Sequence, residues 1–408
     1  MSRTFECRLC RASEPEPVVD LGNLPLANAF VDPAIENEPD AARFPVALVM
    51  CSTCRLLQLR EPAPRSHLFD DYLWTTGTSS TAVAHATVLA GRVAGLRPKS
   101  FLVEVASNDG TFLRAFAAAG LQVLGVEPSN LADEATAAGL PTLRSYFDRA
   151  AAAQIVEEHG QAQVIVARNV IGHTDDLRGL LEGIDLLLAP DGMLVVESPY
   201  AFLLSAQLQY DTIFHEHVSY FTLTTLAAAL SSVGLGIVDL DMVGLNGGSF
   251  LCTATRGGSP TIRGILALED QLLLNDPSGW WDFAARVERQ RDGLLDVIDA
   301  IRADGGHLVG YGAAAKTMTM LNYCGIGPDR IAQFADANPR KQGLLCPGVR
   351  IPVASWADVA ASTPSHVLIG PWNLQSEIVA SLRAGGFEGE FVIPLPRPRV
   401  LPPSPQPA

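Results

Sequence analysis

Cys7-x-x-Cys10 and Cys51-x-x-Cys54 are two pairs of thiols, each spaced so that a single turn brings both sulfurs to one side. Two such pairs suit one tetrahedral Zn2+, with all four ligands supplied by protein and no open position for a substrate. Incidental buried cysteines or a redox pair are the other readings. Further along, Tyr210-Asp-Thr-Ile-Phe214-His215-Glu216-His217-Val-Ser-Tyr-Phe gathers two histidines and a carboxylate outside any clear helical or strand period. Imidazole changes charge near neutral pH, so such a cluster suits proton transfer. His-x-His could also chelate, but the His-Glu-x-x-His spacing of a helical zinc site is absent. Surface or capping histidines are the plain alternative.

A third group begins at Glu104-Val-Ala106-Ser-Asn108-Asp-Gly110, followed by Thr111 and Phe112 at the start of a helix. An acid, small residues and a glycine in this order let the backbone turn sharply and approach a ligand closely at the carboxyl end of a strand. The next strand ends at Glu127, where a carboxylate can accept hydrogen bonds from both hydroxyls of a ribose. Ala106 and Asn108 stand in place of glycines, so Gly-x-Gly-x-x-Gly is not satisfied. An adenosylmethionine site, an NAD site and an ordinary strand-loop-helix connection remain open. Glu104 favours adenosylmethionine, whose cationic methionine portion has no counterpart in a dinucleotide's pyrophosphate. Ala167-Arg168-Asn169-Val170-Ile171-Gly172-His173 ends a further strand and places His173 beside that ligand, near the point of methyl transfer.

The elements that must position these residues alternate. A helix over 85–96, a strand over 101–105, a helix over 112–119 and a strand over 122–126 are followed by strands over 164–167 and 193–198 with a helix near 177–188 between them. This pattern predicts a parallel sheet covered by helices. A long helix over 280–303 leads to a second alternating unit with strands over 307–311, near 331–335, over 366–369 and over 391–393. There Tyr311-Gly-Ala-Ala-Ala-Lys316 is Rossmann-like, and could offer backbone N–H groups and Lys316 to a diphosphate. A duplicate domain with a scaffolding role is the competing reading, and Arg340 and Lys341 read as solvated charges. The expected architecture is α/β throughout: a zinc-binding module over 1–70, a Rossmann-like domain over 71–255, a second Rossmann-like domain over 256–396, and a proline-rich tail over 397–408 that builds no core.

With 408 residues, 48% apolar and 18% charged, the chain can bury more than one core. Its net charge of −15 and lack of any Lys/Arg-rich run exclude a nucleic-acid or anionic-membrane surface. No stretch has the length of a membrane span or the pattern of a signal peptide, so a cytoplasmic protein is expected. A monomer is the default expectation.

Taken together, the two Cys-x-x-Cys pairs, Glu-Val-Ala-Ser-Asn-Asp-Gly-Thr-Phe-Leu, Gly-Val-Glu-Pro128-Ser, Asn169-Val-Ile-Gly-His173, Phe-His-Glu-His-Val-Ser-Tyr-Phe and Gly-Tyr-Gly-Ala-Ala-Ala-Lys resemble the sugar C-methyltransferases of antibiotic deoxysugar pathways. The resemblance covers nearly the whole chain. It implies a structural zinc module, a central adenosylmethionine-dependent methyltransferase domain and a C-terminal α/β domain, acting at C3 of a dTDP-linked 4-keto-6-deoxysugar. It makes His217 the base, with Glu216, His173 and Tyr72 around the substrate. The implied cofactor set is Glu104, Ala106, Asn108, Gly110, Thr111, Phe112, Glu127, Pro128 and Asn169, and the substrate set adds Phe214, Asn246, Tyr311 and Lys316. Relatives usually carry Tyr where this chain has Phe214, so a hydroxyl contact is lost there. The alternative activity is a nucleotide-sugar ketoreductase using NADPH.

Overall fold

The computed structural model describes residues 5–34, 42–68, 75–244, 247–258 and 262–403. The chain divides into two compact units, one made of Met1–Glu16, Val49–Phe202 and Glu216–Gly279, the other of Pro17–Leu48, Leu203–His215 and Trp280–Ala408.

In the first unit a seven-stranded sheet runs Leu235–Val243, Ser249–Arg256, Leu188–Pro199, Ala162–Arg168, Phe101–Val105, Gln122–Val126, Thr142–Leu143. The last five of these are parallel, and Ser249–Arg256 is antiparallel to both its neighbours. Phe101–Val105 is the first strand of the series and lies between strands reached in opposite directions. Its carboxyl end is therefore the crevice where open α/β sheets bind ligands. Its apolar run is buried on both faces, as a central parallel strand must be. The helix expected over 85–96 begins earlier, at Ser80, because the Ser79 hydroxyl accepts the Ala82 N–H and caps it. That Ser80–Leu96 helix lays Ala86, Leu89, Ala90 and Val93 against Phe112, Phe116, Val166 and Val195.

The second unit holds a six-stranded sheet in the order Val353–Ala354, Phe334–Ala335, Leu308–Tyr311, His366–Ile369, Glu390–Ile393, Arg399–Leu401. All its pairs are parallel except the last. The helix Phe283–Ala303 buries Phe283, Val287, Gln290, Leu294 and Ile298, one stripe at helical spacing. Part of the proline-rich tail expected over 397–408 is ordered as extended strand. Leu395 is fully buried and Arg399–Leu401, a stretch without proline, adds an antiparallel edge strand. The strand expected near 331–335 shortens to Phe334–Ala335.

Candidate functional site

The two cysteine turns are built alike. The Cys7 N–H reaches the Ala12 carbonyl at 2.9 Å and the Arg11 N–H returns to the Cys7 carbonyl at 2.9 Å; Cys51 with Leu56 and Arg55 with Cys51 repeat the pattern at 3.0 and 3.1 Å. Each turn closes on an arginine in the left-handed region, Arg11 at φ 64° and Arg55 at φ 66°. The result places the four sulfurs within 4.8 Å of one another, with Cys7–Cys54 and Cys10–Cys51 each 3.5 Å apart. Buried Gln58 donates to the Cys7 sulfur at 3.1 Å and is itself held by the Arg8 guanidinium at 3.0 Å. The hydrogen bond from Cys54 leads the causes that pull Cys7 down to about 4, so a thiolate is ready at this position. Four sulfurs with outer hydrogen-bond support fit a closed tetrahedral metal site.

After the Phe101–Val105 strand the backbone enters the left-handed region at Ala106 (φ 57°), Asn108 (φ 52°) and Gly110 (φ 75°). The missing glycines thus leave the glycine conformation in place, adopted under strain by other residues. Gly110 itself is required, because a Cβ there would meet the Leu140 side chain at 2.5 Å. Glu127 fastens the turn: it accepts the Asn108 N–H at 2.9 Å and both the N–H and the hydroxyl of Ser129 at 3.0 and 2.6 Å. Thr76 donates twice to the Asn108 side chain and Gly77 to Asp109. Around this loop the buried atoms Glu104 Oε2, Ser107 Oγ and Asn169 Oδ1 have no hydrogen-bond partner among the described residues. Buried polar atoms without partners are rare and costly, so they mark where a polar ligand would complete the structure. Burial pushes the Glu104 carboxyl up to about 8, with Asp109 and Glu127 adding to the rise and Arg168 opposing it. Acceptors beside a loop open to backbone contact fit the cationic methionine portion and the ribose of adenosylmethionine.

The rings of His173 and His217 meet edge to face, 4.7 Å between centroids, and Tyr220 lies 6.4 Å beyond His217. Gly172 makes this contact possible. Its carbonyl accepts the Val218 and Ser219 N–H groups at 2.7 and 3.0 Å, and a Cβ there would sit 2.9 Å from the Ser219 carbonyl. Burial lowers His173 to about 4, so it is neutral at pH 7. Glu216 is buried. His215 belongs to the second unit and packs its ring edge to face against Phe44, donating from Nε2 to the Phe44 carbonyl at 3.1 Å. Tyr72 and Asn246 lie outside the described residues.

The comparisons with known proteins bear on this geometry. Residues 7–69 match the family described as "Putative zinc binding domain", residues 84–240 a methyltransferase domain, and residues 244–396 a C-methyltransferase C-terminal domain. The C-methyltransferase NovU of Streptomyces niveus is 34% identical over 412 residues, covering 97% of this chain and 96% of that protein. The chain belongs to the C-methyltransferase family. Among solved structures, a magnesium protoporphyrin IX methyltransferase from Synechocystis with bound SAH matches 43% of this chain and 84% of its own at 16% identity and a TM-score of 0.35, and an O-methyltransferase family protein from Burkholderia thailandensis matches 44% and 57% at 13% identity and 0.36. These two scores are too low to add to the assignment.

In this C-methyltransferase the adenosylmethionine-type fold carries a charged cluster that the sequence reading missed. Glu197, fully buried, is gripped by Arg168 through two hydrogen bonds of 3.1 and 3.0 Å and touches His85 Nε2 at 2.7 Å. The Arg168 guanidinium lies 3.3 Å above the centre of the Phe112 ring. Burial works to raise the Glu197 carboxyl, but His85 and Arg168 outweigh it and hold it below the usual carboxylate value. A signal existed, since an acid within a central strand beside an arginine ending the next is affordable only as a pair. Phe214 is buried in the second unit. Tyr311 packs on Trp356 at 6.0 Å there. Lys316 opens the helix Ala315–Cys324. Its ammonium is lowered by burial and pulled back by Asp211, a buried carboxylate that accepts the Trp372 indole N–H at 2.8 Å. Lys341, read from sequence as a solvated charge, is instead buried and donates to the Ala313 carbonyl at 2.9 Å. Among the described residues, no helix is long and apolar enough to cross a membrane.

Proposed function

We propose that this enzyme methylates C3 of a dTDP-linked 4-keto-deoxysugar in deoxysugar and antibiotic biosynthesis, through an enolate formed by His217. The observation that carries the reading is the edge-to-face pair of His173 and His217, one of them neutral, beside the carboxyl edge of the methyltransferase sheet. A sugar carbon is a poor nucleophile until it loses a proton. A ketone at C4 acidifies that proton, and the imidazole of His217 takes it as the electrons move onto the C4 oxygen. His173, kept uncharged by burial, donates a hydrogen bond to that oxygen where charge develops, with Tyr72 as the other candidate donor. Glu216, buried beside His217 in the chain, is the further residue placed around the substrate. Bound adenosylmethionine supplies an electrophilic methyl carbon, and adenosylhomocysteine leaves as the C3–CH3 bond forms.

The cofactor would be held by Glu104, Ala106, Asn108, Gly110, Thr111, Phe112, Glu127, Pro128 and Asn169, and the sugar nucleotide by Phe214, Asn246, Tyr311 and Lys316. Zinc in the four-cysteine site would be structural, with the domain boundaries falling near residues 70, 255 and 396. The test is incubation with isotopically labelled adenosylmethionine and a panel of dTDP-4-keto sugars, followed by mass analysis of the product. Label on oxygen, or no product from any 4-keto sugar, would overturn the reading.

A further inference from the structure

A cavity of about 320 Å3 lies wholly within the second unit, large enough for a small ligand. One wall is the Phe283–Ala303 helix, which contributes Arg286 and Arg289; the other is the segment after the Glu390–Ile393 strand, which contributes Arg397 between Pro396 and Pro398. Arg286 and Arg289, three positions apart, share a helix face at a spacing of about 5–6 Å. No carboxylate lines the cavity. Arg286 spends one N–H on the Ser205 carbonyl at 2.8 Å. Arg289 and Arg397 are exposed and make no ion pair or hydrogen bond with any described residue.

The chain as a whole is acidic, with a net charge of −15, yet this cavity gathers three arginines. On the same Phe283–Ala303 helix Arg291 pairs with Asp292, and Asp299 takes Arg330. Three guanidiniums around one space repel each other, and nothing in the cavity offsets that cost until an anion enters. Planar guanidinium forks match phosphate oxygens two at a time. Pro396, Pro398 and Leu208 give the same cavity an apolar surface. Lys316, the sequence's choice for phosphate, has the Asp211 carboxylate to balance its charge.

We propose that Arg286, Arg289 and Arg397 form a binding site for the diphosphate group of a nucleoside diphosphate. The assignment of that ligand rests on the nucleotide-sugar reading above, whereas the anion site itself rests on the cavity.

The test is titration calorimetry on the full-length protein with thymidine diphosphate, and separately with inorganic pyrophosphate. Wild type is compared with Arg289→Ala/Arg397→Ala and with Arg289→Lys/Arg397→Lys; thermal melting and adenosylmethionine affinity check that each variant is folded. The alanine pair should weaken thymidine diphosphate about a hundredfold, roughly tenfold for each lost charge-assisted contact, and the lysine pair should restore part of it. Affinity in the wild type should fall as salt rises. If the alanine pair binds thymidine diphosphate as wild type does, the cavity is not the diphosphate site and the nucleotide-sugar reading stands. If wild type binds pyrophosphate but not thymidine diphosphate, and only the arginine variants lose it, the anion site stands and the nucleotide assignment falls. Binding of neither probe to wild type overturns both.

Discussion

Arg168 holds Glu197 with two hydrogen bonds within the methyltransferase sheet, while its guanidinium carbon lies 3.3 Å over the centre of the Phe112 ring in the Thr111–Ala118 helix. The pair thus joins the ends of two central strands to the helix that follows the Glu104–Gly110 loop. Removing one partner of a buried ion pair leaves the other charge without compensation. Glu197→Gln should lower stability by about 3–5 kcal/mol, measured by urea unfolding. The pH sign follows from the lowered carboxyl: its contribution is present above the unfolded value near 4.5 and is lost as pH falls through the lower folded value. Wild type and variant should therefore converge in stability on acidification. A gap that does not narrow as the pH falls, or that widens, would disprove the assignment.

Glu269 acts at a distance in sequence. Its carboxylate accepts the Leu223 and Thr224 N–H groups at 2.7 and 2.8 Å, the free donors at the start of the Leu223–Ser231 helix, and also the Tyr200 hydroxyl at 2.7 Å. A negative charge at a helix N-terminus is favoured there, and the residue is buried. Glu269→Ala should cost roughly 2 kcal/mol or more in thermal or chemical unfolding, with the Tyr200 hydroxyl left unmatched. No change in unfolding free energy would show that the cap contributes nothing.

The cysteine site should carry one zinc per chain by elemental analysis. Stripping it with a strong chelator should unfold the segment around Cys7 and Cys51, seen as faster proteolysis there, and added zinc should restore protection. Protein that is metal-free as purified and equally resistant would rule the metal out.

What the sequence made legible, and what it did not, follows from range. The four cysteines, Glu104, Glu127 and the strand-helix alternation were readable because each depends on local spacing. Ala106 and Asn108 were misleading, since the letters differ from glycine although the backbone adopts the left-handed turn. The links of His85 to Glu197 and of Asp211 to Trp372 were not readable, because they join residues far apart in the chain and obey no period. The tail misled for the opposite reason: its prolines masked three residues, Arg399–Leu401, able to pair at a sheet edge.

For the proposed base, His217→Asn keeps size and polarity but cannot accept a proton at neutral pH. Turnover should fall between about a hundredfold and ten-thousandfold, with adenosylmethionine affinity by calorimetry nearly unchanged. The same variant should also stop exchange of the sugar C3 proton with heavy water in the absence of cofactor. Near-normal turnover, or exchange that continues, would remove His217 from the role.

With adenosylmethionine held by Glu104 as proposed, cofactor binding should depend on pH. Held near 8 by burial, it is mostly protonated at pH 7, and a carboxylate in that position favours a cationic ligand. In the free protein a raised carboxyl destabilises the fold as pH climbs: unfolded Glu ionises near 4.5, so stability declines from there until the folded group ionises near 8. Adenosylmethionine would reverse part of that cost by pairing with the ionised form. Binding should thus release close to one proton at pH 7, detected by calorimetry in buffers of different ionisation enthalpy, and affinity should tighten as pH rises toward 8. Asp109 and Glu127 reinforce the raised value and Arg168 opposes it, so Arg168→Gln should move the change to higher pH. Glu104→Gln should bind more weakly and lose the proton release. If Glu104→Gln releases the same proton as wild type, the group that titrates lies elsewhere in the site.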